Sequence, residues 1–242
     1  MLRIVDHLTG RGPLRICAQV PEADGPGDLT GLRVLLAADV LARVVELRGR
    51  AVLTGRTGPD VPGAGAAGIR PADAAGTARE ISDALGGPPV LTLGSGPYGG
   101  GGAAFAAVAP ARLTGAGAGD SDDEDALALR LLLLDRPHHE PAELTRQALD
   151  GARTALARWR AAVAAWAEEP SKPLRADLVN TARAALEDGL DTRTALRLLE
   201  ELEADGDVPA GARFETFARL DRVLALELTR EIGRSPATRT RP

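Results

Sequence analysis

Apolar positions follow two different rhythms along this chain, and the change comes near residue 120. Before it, short branched runs alternate with helical stripes. Residues 14–20 read as a strand, and Leu32, Leu35, Leu36, Val40, Val44 and Leu47 fall at three- and four-residue spacing. That stripe predicts a helix from Asp28 or Thr30 to Arg48, stopped by Gly49, with a second strand at 51–54. A Gly/Pro-rich loop over 55–72, a helix over 74–85 and a strand over 89–93 continue the alternation, which predicts a parallel α/β sheet. After the change every periodic segment is helical. Helices are expected over 125–134, 141–167, 173–187, 192–204 and 212–232, and stripes such as Leu156, Trp159, Val163 and Trp166 predict that they pack as a bundle. A Gly/Ala run and an acidic cluster over 115–125 mark the boundary. The expected organisation is an α/β domain over 1–119, a helical bundle over 120–233 and a disordered polar tail over 234–242.

Composition narrows the chemistry. Of 29 basic residues only Lys172 is a lysine, and it lies in the polar connector Glu-Glu-Pro-Ser-Lys-Pro. A phosphate-gripping P-loop and a Schiff-base lysine are thereby both excluded. One cysteine, Cys17, rules out disulfides within the chain and multi-cysteine zinc sites. No apolar run approaches the roughly 18 to 20 residues of a membrane span and no export signal is visible, so a cytoplasmic protein that does not engage membranes is expected. A net charge of −5 and six aromatic residues give no support to bulk nucleic-acid binding or to base-stacking platforms.

Three local patterns could carry chemistry. Gly94, Gly96 and Gly99 form a GxGxxG match after a strand, and such glycines let a backbone approach a pyrophosphate at a helix N-terminus. The next apolar segment, 103–108, is short for a crossover helix, so a flexible or wrapped loop over 94–102 is the competing reading. Pro137-His138-His139-Glu140 places two imidazoles beside carboxylates, but adjacent imidazoles diverge and the i, i+4 facing of a helical zinc pair is absent, so a polar helix entrance is the preferred reading over a metal site. The acids at 122–125 read as a solvated helix start.

Several longer segments resemble cysteinyl-tRNA synthetase and its paralogue, the cysteine ligase of mycothiol synthesis. Residues 125–133 are similar to the helix after the family's second signature, and residues 148–163 to the next helix. Residues 184–196 are similar to Ala-Leu-x-Asp-Asp-Leu-Asn-Thr-Pro-x-Ala-Leu, and 220–226 to Leu-Asp-x-Val-Leu-Gly-Leu. Ile16-Cys17 falls where the family has a zinc-binding cysteine of the substrate pocket, and 34–49 resembles its first Rossmann helix. The resemblance implies a reduced class I synthetase-type Rossmann-like sheet followed by the bundle. It places a nucleotide pocket at Asp28, Leu29, Thr30 and Gly31, where the family carries His-Ile-Gly-His. An acid there repels phosphate, and the expected Lys-Met-Ser-Lys-Ser region, 112–119, contains no lysine, so adenylation is not expected. A silent relative is implied that binds tRNA, a nucleotide such as ATP or AMP, or a protein partner. An active ligase with diverged motifs and a plain nucleotide-binding module are the alternatives. Zinc is not expected, because the second family cysteine has no counterpart. Bundle arginines such as Arg146, Arg153, Arg158 and Arg193 could supply phosphate contacts or pair with nearby acids.

Overall fold

A computed structural model describes residues 12–96, 103–115 and 123–234. Gly99, Asp122, most of the 94–102 loop and the tail from 235 lie outside the described residues. The first half forms strand β1 (Leu14–Gln19), helix α1 (Thr30–Leu47), strand β2 (Val52–Thr57), the short edge strand β3 (Ala74–Ala75), helix α2 (Ala78–Ala84) and strands β4 (Leu91–Gly94), β5 (Ala104–Ala107) and β6 (Ala111–Thr114). Then come helix α3 (Asp123–Leu134), strand β7 (Ala142–Thr145) and helices α4 (Arg146–Trp166), α5 (Ala176–Glu187), α6 (Thr192–Ala204) and α7 (Ala210–Leu224). Five strands make a parallel sheet in the order β3-β2-β1-β4-β5, as in a Rossmann-like fold, and helices come after it.

The faces of the sheet are set by strand alternation. Leu14, Ile16 and Ala18 turn toward α1, whereas Cys17 and Leu53 pack with Ile81 and Leu85 under α2 on the other face. Right-handed parallel connections require this. The β1-to-β2 and β2-to-β3 crossings run in the same direction and share one face, and the return from β3 to β4 crosses the opposite one. The core under α1 is continuous with the later helices, joining Leu14, Val34 and Leu41 to Leu127, Trp159 and Leu224 without a break. Phe217 sits between Trp159 and Trp166, with edge-on ring contacts at 6.0 and 5.1 Å.

Residues 103–108, too short for a crossover helix, hold the strand β5, because Ala104–Ala107 pair in parallel with Leu91–Gly94. Three expectations are corrected. Residues 74 and 75 pair with β2 as β3, and α2 starts only after the capping box of Thr77 and Glu80. The long helix expected from 141 begins at Arg146, since residues 142–145 pair with residues 111–114 and bury Ala142 and Leu144 while exposing Glu143 and Thr145. The last helix stops at Leu224 instead of 232. Ala225 turns left-handed (φ +48°, ψ +50°), and the Asp221 carboxylate accepts the N–H groups of Leu226 (2.7 Å) and Leu228 (2.9 Å). Burial pushes the Asp221 carboxyl above its usual value, with those N–H groups and Arg130 pulling the other way.

Candidate functional site

In a sheet of this order the sequence in which strands are added reverses between β1 and β4, and ligands of such folds lie off the carboxyl ends of these two strands. Gln19 and Gly94 are partners in register there, and a Cβ on Gly94 would stand 3.2 Å from the Cβ of Gln19. The glycine keeps the two strand ends close. Gly96 stands in open space, and among the described residues the next element is the strand β5, whereas a dinucleotide fingerprint needs its glycine loop to open a helix.

The other wall of this crevice is the start of α1, the expected nucleotide pocket of Asp28, Leu29, Thr30 and Gly31. Asp28 folds back on the helix. Its Oδ1 accepts the Thr30 N–H (2.9 Å) and Oγ–H (2.6 Å), and its Oδ2 accepts the Asp24 N–H (2.8 Å). Burial works against the charged carboxyl, but the Thr30 hydroxyl, these N–H groups and Arg112 outweigh it and hold Asp28 below the usual carboxylate range. β6 closes the same place from outside. Leu29 donates its N–H to Ala111 O (2.8 Å), Ala111 returns one to Thr30 Oγ (3.3 Å), and Arg112 ties down Asp24 (3.1 Å to its carbonyl). Gly31 faces the Val20 and Val61 side chains. The N–H groups of residues 29 and 30 are therefore spent within the chain, and a fixed negative charge stands where a phosphate would approach.

The flank of α1 is different. The connection from β2 to β3, residues 58–73, is a strap of turns instead of a second helix. It leaves the sheet closely past Val20, and only a glycine fits there: Gly58 has φ +85°, and a Cβ on it would collide with the Val20 carbonyl. Between strap, α1 and β2 lies a cavity of about 410 Å³. Ala38 and Ala42 of α1, Ala18 and Val52 of the sheet and Ile69 of the strap give it an apolar interior, with Asp39, Glu46, Arg56, Asp60, Arg70 and Asp73 also lining it. On its wall Asp39, 3% exposed, receives Arg130 (2.9 Å) and Arg43 (2.8 Å) from outside the cavity and Arg70 (3.2 Å) from its margin. Burial opposes the charge on Asp39, but these guanidiniums prevail and hold its carboxyl low. Arg130 also donates to Ala67 O (3.0 Å) and Leu224 O (2.5 Å), fastening strap, α1, α3 and the end of α7 together. Sequence reasoning missed this cavity and its arginine hub.

The remaining candidates are apart from both places. Cys17 is buried on the α2 face, and burial raises its thiol above the usual value, which disfavours a reactive thiolate. The backbone around His138 serves Arg33, a second buried guanidinium that donates to the carbonyls of Ala109 (3.0 Å), Pro110 (3.1 Å), Pro137 (2.6 Å) and Glu140 (2.6 Å). Among the described residues no group of three His, Cys, Asp or Glu side chains is arranged to hold a metal. No described helix is long and apolar enough to cross a membrane. Of the bundle arginines, Arg146 and Arg153 meet Asp125, Arg158 meets Glu203, Arg183 meets Glu187 and Arg193 meets Asp135. Arg160 is buried against the carbonyls of Leu226 and Glu227. Arg219 and Arg222 have no such side-chain partner among the described residues.

No family model matches the chain, and no curated protein matches it.

Proposed function

We propose that this chain is a cysteinyl-tRNA synthetase-like protein that does not adenylate and acts by binding. The observation that carries the reading is the self-filled start of α1, where the Asp28 carboxylate takes the Thr30 N–H and hydroxyl and β6 takes the N–H of Leu29. Adenylation needs that helix end open to phosphate and needs mobile cations opposite it. The sole lysine lies in the connector against the start of α7. The resemblance gains support from the end of α7: the family pattern has glycine where Ala225 adopts a left-handed conformation, and its aspartate is the residue that caps this turn.

As to partner, the bundle arginines are largely engaged by the chain's own acids and carbonyls, which favours a protein or small-molecule partner over tRNA. ATP–pyrophosphate exchange with cysteine and with other amino acids is expected to stay at the level of a reaction without protein. Exchange above that level overturns the reading in favour of an active ligase. A tRNA complex that survives physiological ionic strength in a gel shift would reverse the preference among partners.

A further inference from the structure

We infer that the cavity between α1 and the 58–73 strap is a binding site for a small organic cation, an amine on an aliphatic body. This goes beyond the proposed function and does not depend on it.

The cavity has a physical origin in the connection that forms it. A parallel crossover from β2 to β3 on this face is ordinarily a helix lying beside the first one, and its side chains fill the space over β2. Here turns replace that helix, and the flank of α1 beneath them presents Ala38 and Ala42. The volume a helix would occupy is left over an apolar floor. From Val52 to Arg56 the floor runs about 13 Å at the usual rise of a strand. A slot of about 410 Å³ with an apolar bed and a charged margin, in which Asp39, Glu46, Asp60 and Asp73 stand against Arg56 and Arg70, has the size of small-ligand sites.

The charges choose the ligand. Both arginines that line the cavity are already neutralised: Arg56 by Asp60 (2.6 Å), and Arg70 by Glu46 (2.8 Å) and Asp39 (3.2 Å). Asp39 is in turn saturated by Arg43 and Arg130, which do not line the cavity. Asp73 is the exception. One of its oxygens accepts the N–H (2.7 Å) and Oγ–H (3.0 Å) of Thr54, and among the described residues no arginine or lysine reaches either oxygen. An exposed carboxylate without an arginine partner, fixed by two hydrogen bonds at the rim of the slot, attracts a cationic head whose tail can lie along the apolar bed. An anionic head meets Asp73 unpaired and finds both guanidiniums occupied.

The test uses the full chain with n-pentylamine as probe and 1-pentanol and pentanoate as matched controls, read by titration calorimetry and by amide shifts at Thr54 and Asp73. Pentylamine is expected to bind, and pentanol and pentanoate to bind at least about tenfold more weakly, the worth of one charge-assisted contact. Asp73→Asn keeps the acceptor for Thr54 and removes the charge, and is expected to weaken the amine at least about tenfold while leaving pentanol unchanged. Ala64→Leu, which fills the slot from the strap and leaves Asp73 alone, is expected to weaken amine and alcohol together. Absence of amine binding, pentanoate binding as tightly as the amine, or equal amine affinity in wild type and Asp73→Asn each overturns the inference. Should Asp73→Asn fail to fold, Ala64→Leu and the three-probe comparison decide it.

Discussion

The end of α1 and its flank border the same sheet and have been treated in opposite ways. At the N-terminal end, short polar groups close in sequence consume the helix N–H groups, and a strand from residue 111 onward seals the place. Along the flank, Asp39 lines the cavity but takes its bonds from Arg43 and Arg130, which stand outside it, and the space itself is left open. Polar saturation closes a site when the partners stand in the ligand's position. It preserves one when they stand behind the wall. The Asp39 hub holds the strap off the sheet through Arg70, Arg130 and the carbonyls of Ala67 and Gly68, which accept from Arg130 and Arg43.

The strongest way to break this contrast is at the hub. Arg130→Met leaves Asp39 buried against a methionine, with only the partly exposed Arg43 and Arg70 to offset it. A loss of about 3 to 5 kcal/mol is expected in denaturant unfolding, the range for removing one partner of a buried pair. A loss below about 1 kcal/mol would mean that the hub does not fasten the cavity wall. At the closed end, Asp28→Ala removes three hydrogen bonds from a partly exposed carboxylate. It is expected to cost about 1 to 2 kcal/mol and to leave the amine affinity of the flank unchanged. Coupling between the two would show that end and flank are not separate sites.

A pH dependence, confined to acid conditions, is expected away from both places. Burial, assisted by His139 and Arg33, lowers His138 from 6.5 to about 4. The folded protein therefore prefers neutral imidazole. This contribution is complete above pH 6.5, where both states are neutral, and is lost as pH falls from about 6.5 to about 4, because the unfolded chain binds the proton first. The difference between wild type and His138→Gln in urea midpoints should change across that window and be flat above it.

Local signals are legible in the sequence and distant ones are not. The α1 stripe, the strand over 14–20 and the helix over 192–204 rest on periodicity within their own segments, and they lie where that periodicity places them. The capping box at Thr77 and Glu80 is also written in the sequence as T-x-x-E, and it marks the start of α2 more sharply than the apolar pattern does. β7 reads as helix because its pairing partner lies some thirty residues earlier, at Ala111–Thr114, and nothing in Ala-Glu-Leu-Thr declares it. Arg33, Arg130 and Arg160 carry no sign of burial in their own segments, since arginines usually lie at the surface, yet they are buried because carbonyls of remote loops converge on them. The closure at Asp28 is half visible. Its charge can be read, but the strand that covers it cannot. The cavity is half visible too: the Gly/Pro-rich run over 55–72 declares that no helix forms there, but nothing in it declares that the space is left open.

The Arg130 bond to the carbonyl of Leu224 joins residues 94 positions apart. During synthesis, at about 5 to 20 residues per second, the guanidinium waits roughly 5 to 20 s for this acceptor to be made. For that interval the sheet and α1 have been synthesised while their arginine fastening is incomplete. The final turn after α7 thus acts as a latch, and a nascent chain stalled before it leaves the buried Arg130 guanidinium short of one carbonyl partner.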